Sequence, residues 1–360
     1  MRPSYRCVTD RTAAGTYGLC SLHQMPPLMG SVARARAAQV PLHVLLELTY
    51  RCNVRCVHCY LAGQEREMAL DELARVLDAL AAAGCLILTL SGGEVLLRRD
   101  FFDIARAAKD RGFALRIFTN ATLVTPRVAE RIAALDPLVV ESSLLGGDAA
   151  THDAVTLIPG SFAKTLRGVR LMIEHGVRVK LKTTLMSVNA HQAEAMERLA
   201  DDLGVEHQVS YVMMPRRDGD RVPVRLQIGD AALRAYLDRR QRDLAEPIVP
   251  TAVDDDGLCS AGRAACSISP SGDLYPCVLL PLRAGNVLET PFAELWRHAP
   301  AMQRMRQLLR DHAIHCAGCD DDGHTFCPAL NMLEMGDPEN PSPQAQRGTR
   351  LWRDLAPASA

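Results

Sequence analysis

Three of the chain's twelve cysteines, Cys52, Cys56 and Cys59, fall in the single stretch "RCNVRCVHCYL". Thiolates this close together are metal ligands before they are anything else in a reducing compartment. A tetrahedral zinc site would need a fourth ligand, and His58, the nearest imidazole, is awkwardly adjacent to Cys59. A cubane iron–sulfur cluster takes one ligand per iron, so three cysteines would hold it and leave one iron open to a substrate or cofactor. The spacing favours the cluster and leaves zinc as the alternative.

Six more cysteines come late. Cys259, Cys266 and Cys277 lie in "CSAGRAACSISPSGDLYPC", and Cys316, Cys319 and Cys327 in "CAGCDDDGHTFCPAL". Here zinc competes more strongly, because the C-x-x-C pair with two earlier thiolates would make a four-cysteine site. Cys85 opens the apolar run "CLILTL" and reads as a buried small hydrophobe, whereas Cys7 and Cys20 have no assigned role.

The elements that must position these residues show in the hydrophobic period. Strands are expected at "HVLLELTY", "CLILTLS", "ALRIFTN", "LVVESSLL", "VRVKLKTTLM" and "EHQVSYVMM", each followed by a helical pattern, several of them closing on glycine. Consecutive βα units specify a parallel sheet with right-handed crossovers, and six fall short of the eight of a full barrel. The expectation is an α/β fold, a partial (β/α)6 barrel with a small cysteine-rich C-terminal domain. Its parts would be an N-terminal extension (1–40), the barrel core (41–245), the cysteine-rich domain (246–335) and an exposed, mobile tail (336–360). One long helix is expected near "FAELWRHAPAMQRMRQLLRDH".

Strand one ends at the cysteine loop, on the sheet edge where parallel βα folds keep their active sites. Strand two ends "TLSGGEVLL", bringing Gly92, Gly93 and Glu94 to the same edge. Two glycines would let backbone approach a ligand, and the carboxylate would accept from an ammonium group.

Composition removes other classes. Hydrophobic residues at 48% and charged residues at 23% suit a globular enzyme, and a net charge of −1 gives no footprint for nucleic acid or an anionic membrane. No run reaches the roughly 20 apolar residues of a membrane span, and the first residues lack signal-peptide order, so a cytoplasmic protein is expected.

With both cysteine groups and the G-G-E segment in place, residues 40 to 330 resemble the radical S-adenosylmethionine (SAM) enzymes. The resemblance implies that Cys52, Cys56 and Cys59 hold a [4Fe–4S] cluster whose open iron chelates SAM. It implies Tyr60 at the adenine through its backbone and Glu94 at the SAM amino group. It also places Asn120 and Thr122 of "FTNATLV", Ser143 and Lys182 at the cofactor. Val95 departs from the family, which usually has proline there. The late region resembles the SPASM and twitch extensions through "SPSGDLYPC", "GNVLETPFAELW" and "FCPAL". It implies one or two auxiliary [4Fe–4S] clusters, with Cys259, Cys266, Cys277 and Cys327 as the most natural complete set and Cys316–Cys319 serving a partial second. Relatives of this type mostly modify ribosomally made peptides by oxidation, decarboxylation or crosslinking, and some dehydrogenate a small sugar or alcohol. The implied partners are a peptide substrate, a separate leader-binding protein, and an electron donor such as flavodoxin or ferredoxin.

Overall fold

The computed structural model describes residues 29–63, 65–243, 259–316, 327–340 and 342–353. Cys7, Cys20 and Cys319 lie outside them, as does the side chain of Cys316. Helix α1 (Met29–Ala38) leads into β1 (His43–Thr49), α2 (Leu70–Ala82), β2 (Ile87–Gly92), α3 (Phe101–Asp110) and β3 (Ala114–Thr119). Next come α4 (Pro126–Ala133), β4 (Val139–Ser143), α5 (Ala149–Thr156), α6 (Ser161–Glu174), β5 (Val179–Thr184), α7 (Ala193–Asp202), β6 (Glu206–Ser210) and α8 (Asp230–Asp243). The late region supplies β7 (Ala265–Ile268), β8 (Asp273–Tyr275), β9 (Gly285–Asn286), α9 (Phe292–His298), α10 (Pro300–Cys316), α11 (Pro328–Met335) and α12 (Pro343–Arg353).

The nine strands among the described residues form one sheet in the order β6-β5-β4-β3-β2-β1-β7-β8-β9. Strands β1 to β6 are parallel, as the six βα units require. The ring does not close on itself: the free side of β1 takes β7, also parallel, with His43 opposite Ala265 and Leu46 opposite Ile268. The barrel is therefore partial, and the cysteine-rich region continues its sheet.

Alternation along the strands separates two environments. Val44, Leu46 and Leu48 face outward and pack with Leu73, Val76, Leu77 and Leu80 of α2 in the main core. The opposite face carries His43, Glu47, Thr89, Arg116, Glu141 and Lys180, all buried. Burying that many polar groups is costly unless they are paired with one another or serve a ligand. Arg116 and Glu141 pair directly, and Lys180 meets Glu206 at 2.7 Å.

Two expectations are corrected. The long helix after residue 291 is two, because Pro300 cannot continue a helix and Ala299 before it turns extended at ψ 133°. The expected mobile tail contains α12, whose Leu351 joins the main core. Buried Gln344 donates to the Met213 carbonyl at 2.7 Å and accepts from its N–H at 3.1 Å. The N-terminal extension includes α1, whose Ala35 packs with Leu42, Ile87 and Ala264.

Candidate functional site

Loops from the C-terminal edge of the sheet surround a cavity of about 590 Å³, within the range of small-molecule sites. Cys52, Cys56 and Cys59 line it, together with Tyr60, Gly92, Gly93, Asn120, Ser143 and Lys182. The structure thus gathers most of the residues expected at the site from five different strand ends. Two do not face the cavity. Thr122 is buried and tied to Asn53 and Asn120, and Glu94 lies beneath the edge.

Glu94 has no exposure, and its carboxylate accepts from Leu96 N at 3.0 Å, Thr119 Oγ1 at 2.8 Å and Asn120 N at 2.7 Å. Burial pushes its carboxyl up, and these donors oppose that. In the ligand-free protein the side chain therefore ties β2 to β3. Replacing it with alanine takes the acceptor from three donors, one of them buried, so Glu94→Ala is expected to destabilise the ligand-free protein by about 1–3 kcal/mol. Thermal unfolding without SAM measures this, and unchanged stability would return Glu94 to a purely ligand-facing role.

The glycines also serve a different neighbour from the one expected. A Cβ on Gly92, whose φ is +137°, would lie 2.2 Å from the Thr49 carbonyl oxygen, and one on Gly93 2.3 Å from that of Arg51. The bare backbone lets Gly93 N donate to Thr49 O at 2.7 Å and Glu94 N to Arg51 O at 2.9 Å. The close approach is to the start of the cysteine loop itself.

That loop is held on its far side by α5, a helix without a strong sequence signal. Arg55 N donates to Thr156 O at 2.9 Å and Val57 N to Val155 O at 3.0 Å. Buried His152 of α5 accepts from Leu145 N at 3.2 Å through Nδ1. Burial disfavours its imidazolium and lowers its pKa from 6.5 to about 4. A depressed folded-state pKa means that its contribution to stability is complete above about pH 6.5 and is lost as pH falls toward 4. In urea titrations the stability difference between wild type and His152→Gln is expected to shrink over that window. A pH-independent difference would contradict this.

Asn120 donates to Asn53 Oδ1 at 2.9 Å and lies 3.8 Å from Cys52 Sγ. Lys182 Nζ is 3.0 Å from Glu141 Oε2 and 4.3 Å from the Phe118 ring centroid. Burial alone would raise the Glu141 carboxyl, yet Lys182 and Arg116 override it and bring it down to about 2. Burial also raises all three cysteines, Cys56 to about 12. Three cysteine sulfurs lining one cavity are a donor set that suits a cationic metal centre, whose charge would release the thiol protons.

The late cysteines divide unexpectedly. Cys259, Cys277 and Cys327 share one cluster of side chains with Val278, Leu279, Leu280 and Ala329, to which Tyr60, Phe118 and Met214 also belong. Cys327 caps α11, accepting from Leu330 N at 3.5 Å. Cys266 is elsewhere: opposite Val44 in the sheet, it is buried in the main core on the helix-covered face. The four-cysteine set expected from the resemblance is therefore not brought together. The trio's site abuts the cavity, since Leu279 lines one and packs in the other.

Sequence reasoning missed Glu47, Tyr50, Asn53, Glu141 and Arg217. Glu47 carried a signal, being a charge inside the apolar run "HVLLELTY".

An open parallel barrel with three cysteines lining its cavity, and three more packed against a neighbouring apolar cluster, suits an iron–sulfur enzyme that binds a small cofactor, although among the described residues no group of three or more His, Cys, Asp or Glu side chains is arranged to hold a metal ion. Residues 46–203 match the model of the Radical SAM superfamily and residues 259–320 that of the SPASM iron–sulfur cluster-binding domain. The chain carries a Radical SAM domain followed by a SPASM domain, and these two domains imply SAM and [4Fe–4S] clusters as its cofactors. It is 28% identical over 317 residues to the AdoMet-dependent heme synthase of Methanosarcina barkeri (strain Fusaro / DSM 804), covering 78% of this chain and 91% of that one. It is also 28% identical over 328 residues to the mycofactocin maturase MftC of Mycobacterium ulcerans (strain Agy99), covering 86% and 88%. The solved structure of native anSMEcpe with bound AdoMet and Cp18Cys peptide matches with a TM-score of 0.68 at 14% identity, over 87% of this chain and 96% of that one. Among the described residues no helix is long and apolar enough to cross a membrane.

Proposed function

We propose that this enzyme abstracts a hydrogen atom from a ribosomally made peptide, leading to oxidation, decarboxylation or crosslinking. The observation that carries the reading is similarity to a peptide maturase over 86% of the chain, spanning both cysteine groups. When bound, the cluster and SAM supply a 5′-deoxyadenosyl radical. Cys52, Cys56 and Cys59 hold the cluster. The backbone at Tyr60 and at Gly92–Gly93, with Asn120, Ser143 and Lys182, binds and orients SAM, and Glu94 braces that edge from beneath. The Tyr60 carbonyl already accepts from Arg217 N at 3.0 Å, which fixes its direction. Cys259, Cys277 and Cys327 hold an auxiliary cluster. Cys316 and Cys319 are further ligands, and Cys266 is a core thiol. Electrons come from a flavodoxin or ferredoxin in the cytoplasm, and a separate protein presents the peptide leader.

A second reading, a small-metabolite substrate, is favoured by the similarity to a heme synthase. Co-expression with a short peptide encoded beside this chain, with and without Cys52→Ala, separates the two by mass. A cysteine-dependent loss of hydrogens or of carbon dioxide from the peptide supports the first. An unchanged peptide alongside a changed small molecule supports the second.

A further inference from the structure

We infer that Arg217 is a positioning residue that pins the loop carrying Cys59 to the segment carrying Cys277, fixing the spacing of the two cysteine trios. The inference rests on the assignment of both trios as cluster sites. Arg217 follows β6, in a stretch that belongs to neither cysteine group. Its backbone N–H donates to the carbonyl of Tyr60, the residue after Cys59, at 3.0 Å. Its Nε donates to the carbonyl of Val278, the residue after Cys277, at 2.8 Å. Its remaining donors reach Glu47 Oε2 at 2.8 Å and the Tyr50 hydroxyl. Both Tyr50 and Tyr60 hydroxyls donate to the Glu47 carboxylate at 3.0 Å. The rings of Tyr50, Tyr60 and Tyr275 each lie 5.6 Å from the guanidinium carbon.

One residue thus joins three segments: its main chain holds the end of the first cysteine loop, and its guanidinium holds β1 and the auxiliary segment while lying against the Tyr60 ring. Neither Arg217 nor Glu47 is among the residues lining the cavity. Folding alone does not call for this arrangement, because a buried ion pair is often no more stable than an apolar pair of the same volume. What the pair adds is direction: a rigid planar fork of donors fixes distances that an apolar contact leaves loose. Electron exchange between the two sites depends on that distance.

The test uses the full chain reconstituted without oxygen and reads the magnetic interaction between the two reduced clusters by pulsed EPR, alongside thermal unfolding and iron content. Wild type is expected to show one narrow intercluster distance. Arg217→Met should lower the unfolding temperature, since Glu47 is left buried and unpaired, and broaden that distance into a distribution. The double variant Glu47→Gln/Arg217→Met removes both charges, so it should regain most of the stability while the distribution stays broad. Arg217→Lys, which keeps the charge without the fork, should fall between. A wild-type distance in either Met variant, or stability and distance recovering together in the double variant, overturns the positioning role and leaves Arg217 a packing residue. A wild type that takes up no iron–sulfur cluster at all overturns the proposed function, and this inference with it.

Discussion

Cys52→Ala is expected to abolish the reductive cleavage of SAM to 5′-deoxyadenosine while leaving auxiliary iron in place. The three cysteines line one cavity and act on one centre, so removing any one leaves too few thiolates to hold it. Loss of a mere outer-shell partner of a metal costs about 10–100-fold, and loss of a ligand should exceed that. The auxiliary trio is anchored in a different side-chain cluster, with Cys327 at the start of α11, and does not depend on Cys52 for its placement. Anaerobic reconstitution followed by iron and sulfide analysis and a dithionite-driven cleavage assay gives both readouts. Cleavage at even a tenth of the wild-type rate would mean that the cofactor binds elsewhere.

The second large effect is expected from Gly93→Ala, a change of one methyl group. Its Cβ would meet the Arg51 carbonyl oxygen at 2.3 Å and that of Tyr50 at 2.8 Å, both backbone atoms unable to swing aside. Relief requires β2 to move away from β1, which breaks the Gly93–Thr49 and Glu94–Arg51 hydrogen bonds. Overpacking in a core typically costs about 1–3 kcal/mol, and a backbone obstacle should place this variant at or above the upper end. Because Arg51 immediately precedes Cys52, the displacement reaches the first ligand. Iron uptake at the SAM site should fall along with the unfolding temperature. A variant that unfolds early yet binds its full iron would show that the loop tolerates the shift.

The six barrel strands were readable because each combines a short apolar run with a following helical period, but the polar inner face that Glu47 and Glu141 build was not read from them. Helix α5 was not readable: "AATHDAVT" has no apolar stripe, and its role comes from the cysteine loop it supports. The same holds for Arg217, which in "PRRDGDR" looks like one solvated charge among several. Only the fold brings Tyr60 and Val278 to it. Cys266 was assigned to a cluster because spacing along the chain says nothing of which face of β7 it occupies. That face is set by pairing with β1, a contact between residues far apart in sequence. The glycines are legible as sites of close approach, and the fold adds a second partner, the neighbouring loop, to the cavity that they line.

The pairing of β7 with β1 bears on how this enzyme can be divided. Cut before the cysteine-rich region, the barrel would not end in a clean surface: β1 would lose a neighbour along His43 to Leu46, baring backbone donors and acceptors at an open margin. Unpaired margins of this kind recruit other chains. A shortened chain is therefore a poor stand-in for the isolated SAM-cleaving half, since self-association would mask whatever chemistry remained. The two halves are better separated by changing ligands than by cutting the chain, because point changes leave the shared sheet whole.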